Sequence, residues 1–264
     1  MNKLKYSLLL CGSVLCATSW AGIEDDIFSS NFQFDSKIAF TSFEEPIDIP
    51  FNGRYFDEQP CTAHDLVNNP DQPFVDTTNI GLTTEFGFSA SFIPPTNCGG
   101  EFDDGVNNDF LGITSFALNL TDIDDMDQGG FSDGVRGYQI SDPDGTYVMI
   151  SEEIDLRGRV NNSVSIDYFL DDRNHFETPP DAGDWEPDDS FKIYVIDVTN
   201  AVDIDVVDLT GGVGGIDTMG IEYSWQSGVV MLPDNVVVRI VIEFTANSGR
   251  EVVYIDNVEV RGTD

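Results

Sequence analysis

Basic residues are scarce in this chain: 12 Lys and Arg stand against 48 Asp and Glu in 264 residues, and only two histidines occur, His64 and His175. Phosphate backbones are bound by clustered Lys and Arg, so nucleic acid is not expected as a partner, and an anionic membrane surface is excluded for the same reason. Two histidines cannot form a multi-histidine metal centre and leave few options for a Ser-His-Asp triad. His175 lies in Asp172-Arg173-Asn174-His175-Phe176-Glu177, a setting suited to a general base, but turn composition explains that segment as well and is the preferred reading. Paired carboxylates for glycoside hydrolysis cannot be picked from so many acids without geometry. The glycine-rich stretch 211–215 has no following Lys-Ser/Thr, so it reads as a hairpin or surface loop, not a phosphate loop. The sequence is read as a non-enzyme.

Long hydrophobic runs are also lacking. Tyr6 to Cys16 is apolar, but it is too short to span a bilayer, and no later run approaches the roughly 20 residues required. Lys3 and Lys5 precede it, and Ser19-Trp20-Ala21 places small residues around a cut after Ala21. That layout predicts a secretory signal peptide over 1–21, a loose leader over 22–36 and a secreted domain over 37–264. Losing the signal peptide leaves 10 basic against 48 acidic residues, a net charge of −38. Such a charge opposes compaction, yet 41% hydrophobic and 11% aromatic residues are enough to build a core, and disorder is not expected.

Cysteine is the third scarcity. Cys11 and Cys16 depart with the signal peptide, leaving Cys61 and Cys98. In an oxidising compartment a lone pair forms a disulfide, and two cysteines do not make a zinc site.

What the chain does contain is a succession of strand patterns. Phe86, Phe88, Ala90 and Phe92 alternate with polar or small residues, and the same period of two recurs in Val164, Ile166, Tyr168 and Leu170 and again in Val236, Val238, Ile240, Ile242 and Phe244. Phe191 to Val198 is apolar on both faces, as a central strand would be. Clusters such as Asp142-Pro143-Asp144-Gly145 separate these runs, and no apolar period of 3.6 residues is held for three turns. About ten or more short strands in roughly 225 residues predict an all-β fold, a single jelly-roll or β-sandwich domain.

The acids fall in groups on the predicted turns: 103–104, 122–127, 142 and 144, 152–153, 171–172 and 181–189. Calcium takes six to eight oxygens, many from carboxylates on loops. Asp122, Asp124, Asp125 and Asp127 therefore stand as candidate ligands, with Asp142 and Asp144. Asp122-x-Asp124 begins like an EF-hand loop, but Met126 occupies a ligand position. In the last predicted strand, alternation over Val252 to Val260 places Asp256 on the side of Val252, Tyr254, Val258 and Val260. A carboxylate there must be neutralised, hydrogen-bonded or given a cation. Two alternatives stand: Asp256 shares a structural calcium with Glu44 and Glu45 at the end of the first strand, or backbone amides or an arginine hold it. Trp185 lies among acids, where stacking on a sugar competes with core packing. Asn119 and Asn161 head glycosylation acceptor triplets, which matter if the source is a eukaryote.

Six stretches, in order, carry a resemblance: Ser42-Phe43-Glu44-Glu45-Pro46, residues 64–70 (HDLVNNP), 85–92 (EFGFSASF), 137–145 (GYQISDPDG), 163–170 (SVSIDYFL) and 254–260 (YIDNVEV). Over about residues 38–262 the chain resembles the aspartic-acid-rich acidic skeletal organic matrix proteins of stony corals, with similar secreted proteins in marine bacteria. The resemblance implies secretion into an extracellular, calcified skeletal matrix. It implies calcium or calcium carbonate as partner, alongside other matrix proteins or polysaccharide. The chain departs from that family in having no long Asp or Glu runs. The alternative is a secreted marine bacterial carbohydrate-binding module or polysaccharide-active enzyme on a jelly-roll fold, since fold does not fix function.

Overall fold

The structure is a computed structural model that describes residues 36–44, 61–69, 74–77, 85–96, 98, 110–114, 130–171, 185–212, 214–222, 224–246 and 251–264. Every described residue belongs to one compact unit, Asp35–Asp264. The expected signal peptide, the leader up to residue 35, Glu45, Asn119, the acids from Asp122 to Asp127 and His175 lie outside the described residues.

Thirteen strands are described, with one four-residue helical turn, α1 (Ile216–Met219). They form two antiparallel sheets, so the all-β sandwich expected from the alternation is what the chain adopts. The first sheet runs β11 (Gln226–Met231), β8 (Val160–Asp171), β13 (Val252–Thr263), β5 (Gly137–Ser141), β4 (Phe110–Thr114), with β1 (Ser36–Thr41) also paired to β13. The second runs β10 (Val202–Thr210), β9 (Ser190–Asp197), β12 (Val237–Ala246), β6 (Gly145–Ser151), β3 (Phe88–Ile93), β2 (His64–Asp65), with β7 (Ile154–Asp155) paired to β12.

The predicted alternations define the inner faces. Phe88, Phe92, Ile166, Leu170, Val238, Ile240, Ile242 and Phe244 all join one core drawn from both sheets. Burying each such side chain contributes about 1.5–3 kcal/mol, which offsets the self-repulsion of an acidic surface. Strand β9 is an interior strand, paired with both β10 and β12, but only one of its faces is fully covered: Phe191, Ile193 and Val195 are buried while Lys192, Tyr194 and Ile196 are half-buried. Its neighbour β10 is the edge strand, and a bulge between Asp205 and Val207 keeps Asp203, Asp205 and Asp208 opposite Ile196, Tyr194 and Lys192. Exposed acids on an edge strand disfavour pairing with another chain.

The first and last described strands lie side by side. Strand β1 pairs antiparallel with β13, Ser36 opposite Gly262 and Thr41 opposite Val258. Just beyond β1, Phe43 takes a φ of 57° and is fully buried, its ring 5.4 Å from Tyr138 and 6.0 Å from Phe88. The left-handed turn costs roughly 1–2 kcal/mol, which burial of the ring offsets. The disulfide Cys61–Cys98 is formed across a sequence separation of 37.

Strand β13 corrects the sequence reading of Asp256. The register against β8 shifts between Asp256 and Glu259, and Asn257 there has a φ of 47°. This β-bulge inserts one residue and reverses the faces that follow. Val253, Ile255, Val258 and Val260 point into the main core. Val252 and Tyr254 lie on the outer face with Phe131, Phe169 and Trp225, and Asp256 continues the Val252–Tyr254 alternation. Asp256 is therefore on the opposite side from Val258 and Val260, though it is still fully buried.

Candidate functional site

One end of the sandwich collects carboxylates. Val252 at the start of β13 pairs with Ser141 and with Asp171, so Asp142, Asp171 and Glu251 stand together at the end of the first sheet. The turn from β5 to β6 crosses to the second sheet at this same end, where Gly145 faces Ala246 and Ser190 faces Thr245. Asp144 and Asp189 precede Gly145 and Ser190 there. Five of these acids are buried: Asp142 at 0%, Asp144 at 7%, Asp171 at 4%, Asp189 at 1% and Glu251 at 1% exposure. The expected turn at Asp142-Pro143-Asp144 forms, with φ of 52° and 46° at the two aspartates, but it holds their carboxylates inside the protein.

Glu186, Asp189 and Glu251 form the tightest group, with a carboxylate oxygen of each within 4.8 Å of the others. Local structure explains how two of them are aimed. The Glu186 amide donates to Asp189 Oδ2 at 2.6 Å, and the Asp189 amide donates to the Glu186 carbonyl at 3.0 Å, closing a turn through Pro187. Gly211 and Gly212, which read as a surface loop, are buried against this turn. Gly212 N donates to the Trp185 carbonyl and Gly211 N to the Asp189 carbonyl. A Cβ on Gly211 would lie 2.1 Å from the Glu186 carbonyl oxygen, so only glycine permits this approach. Trp185 is fully buried, edge-on to Phe244 at 6.0 Å, with its indole N–H donating to Glu222. Its place is therefore the core, not a sugar platform.

The electrostatics follow from burial. Asp189 is pushed up to about 8, first by loss of water and then by Glu186 beside it, although the Glu186 amide pulls the other way. One Glu186 carboxylate oxygen, Oε2, is buried without a hydrogen-bond partner. In the sequence Glu186 and Asp189 belong to the acid group 181–189, whereas Glu251 stands apart from every such group. No local pattern brings Glu251 to Asp189, because the contact joins strand starts in two different sheets.

Glu44 and Asp256 each bind the loop over 132–136, and Glu45 lies outside the described residues. Glu44 Oε1 accepts from the amides of Val135 and Arg136, both at 2.6 Å. Asp256 Oδ2 accepts from the Asp133 amide at 2.7 Å and the Ser132 hydroxyl at 3.1 Å, and Oδ1 from the Asn257 amide at 2.8 Å. Burial pushes Asp256 up to about 7 despite these donors. Of the two alternatives left open above, capture by backbone amides is the one seen directly.

Elsewhere, Asn161 is exposed at a φ of 54°, and its side-chain amide donates to Thr263. His64 lies on β2 with Nδ1 2.6 Å from the Thr62 carbonyl. Trp225 is half-buried on the outer face of the first sheet, backed by Phe169 at 5.7 Å and Phe131 at 6.1 Å, with its N–H donating to the Gly130 carbonyl. No helix among the described residues is long and apolar enough to cross a membrane.

No family model and no curated protein matches this chain. Solved structures of low similarity do. TmCBM61, in complex with β-1,4-galactotriose, is 11% identical with a TM-score of 0.32, covering 50% of this chain and 73% of its own. The K1 cleaved adhesin domain of Lys-gingipain from Porphyromonas gingivalis W83 is 12% identical with a TM-score of 0.35, covering 62% and 96%. A Stig cyclase from Fischerella sp. TAU is 10% identical with a TM-score of 0.35, covering 87% and 98%.

Proposed function

We propose that this chain is an extracellular, non-enzymatic β-sandwich binding domain that holds calcium at its acid-rich end, with Glu186, Asp189 and Glu251 as ligands. The observation that carries this reading is the convergence of three carboxylates from both sheets within 4.8 Å, two of them almost wholly buried. At such a distance two like charges repel by about 3 kcal/mol at an effective dielectric of 20. Loss of water on burial, with Glu186 beside it, already pushes Asp189 up to about 8. A calcium ion offsets two of the three negative charges and accepts oxygen ligands in a flexible arrangement. The donor set is all oxygen, which does not suit zinc. Asp142, Asp144 and Asp171 on the adjoining strand ends add negative potential around the ion.

Calorimetric titration combined with thermal melting tests this. Calcium is expected to raise the melting temperature of the wild type, and the combined Glu186→Gln, Asp189→Asn and Glu251→Gln variant is expected to lose that rise. A wild-type melting temperature indifferent to calcium would end the reading.

Polysaccharide is the ligand class we place second, on one observation: Trp225 is held half-exposed and rigid by an aromatic bed, and an amphipathic ring of this kind suits a binding face. Affinity electrophoresis in soluble polysaccharides, wild type against Trp225→Ala, tests it. Equal mobility of the two proteins in every polysaccharide would count against it. The skeletal-matrix reading rests on the sequence resemblance. Its test is adsorption to calcium carbonate by a variant with Asp122, Asp124, Asp125 and Asp127 changed to Asn. Unchanged adsorption would remove that cluster from consideration.

A further inference from the structure

We draw no further inference here: the strongest candidate, the outer face of the first sheet where Val229 and Met231 stand exposed on β11 beside Ser163, Ser165 and the Lys37–Glu259–Arg261 charge group, carries nothing because nothing in the structure shows what covers it.

Discussion

Glu44 and Asp256, one just past the first strand and the other on the last, grip the same loop from two sides. Glu44 takes the amides of Val135 and Arg136, and Asp256 takes Ser132 and the amide of Asp133. The loop in turn seats Phe131 against Tyr254 and Trp225. Two carboxylates near the chain's ends thus fasten a segment over 90 residues away from either.

Removing one of these acceptors is expected to loosen the loop. Asp256→Ala leaves the Asp133 amide and the Ser132 hydroxyl without their acceptor, at a cost of about 2–3 kcal/mol, since bonds to charged groups sit at the upper end of the range. Urea unfolding should show the loss, and limited proteolysis should cut first between residues 131 and 136. Asp256→Asn keeps one acceptor and removes a buried charge, so it should cost less. Equal losses for the two variants would contradict this account.

Stability is expected to depend on pH in an unusual direction. Asp189 and Asp256 have folded values of about 8 and about 7, raised by burial from an ordinary 3.8. Between roughly pH 4 and pH 8 the native state therefore binds more protons than the unfolded chain. The associated stability is present in full below about pH 4 and is lost as pH rises through 7 and 8. Asp155 works in the opposite sense. Its side-chain hydrogen bond with Arg157 holds it at about 2, so its effect fades only in strong acid. In a chelator, the melting temperature at pH 5.5 should exceed that at pH 8.5. Millimolar calcium favours the charged carboxylates and should narrow the gap. A chelated protein that melts higher at pH 8.5 would overturn the assignment.

Gly211 is expected to control the acid-rich end without carrying any charge. Gly211→Ala drives a methyl to within 2.1 Å of the Glu186 carbonyl oxygen and must displace that turn. Overpacking of this kind costs typically 1–3 kcal/mol. Calcium affinity should fall alongside stability. Gly214→Ala is a control for backbone strain, because open space surrounds that glycine and its φ is 99°. It should lose stability without losing calcium affinity.

The disulfide Cys61–Cys98 closes a loop of about 37 residues and is worth about 3–4 kcal/mol in the chain-entropy model. Replacing both cysteines with serine should lower the denaturant midpoint accordingly. It should leave the calcium response intact, since β12 and β6 stand between β9, which Asp189 precedes, and the β3–β2 edge where the cysteines lie.

The sequence by itself determined the strands and their inward faces. Alternation is a local property with a period of two residues, so Phe86 to Phe92, Val164 to Leu170 and Val236 to Phe244 could be read without knowing what they face. The disulfide was legible for a simpler reason: only one pair of cysteines, Cys61 and Cys98, follows the segment expected to be a signal peptide. Val258 and Val260 fall on the side opposite Asp256, against the sequence reading, because a single inserted residue reverses every later face, and the one local hint was Asn257, a residue type that tolerates positive φ. Asp142 and Asp144 were rightly placed on a turn. Whether that turn faces water or the interior depends on what packs over it, and turn composition carries no information about that. The meeting of Glu186 and Asp189 with Glu251 was decided only by tertiary structure. Those residues begin strands in different sheets, and their distance is set by how the two sheets stack, a relationship that no local pattern in the sequence encodes.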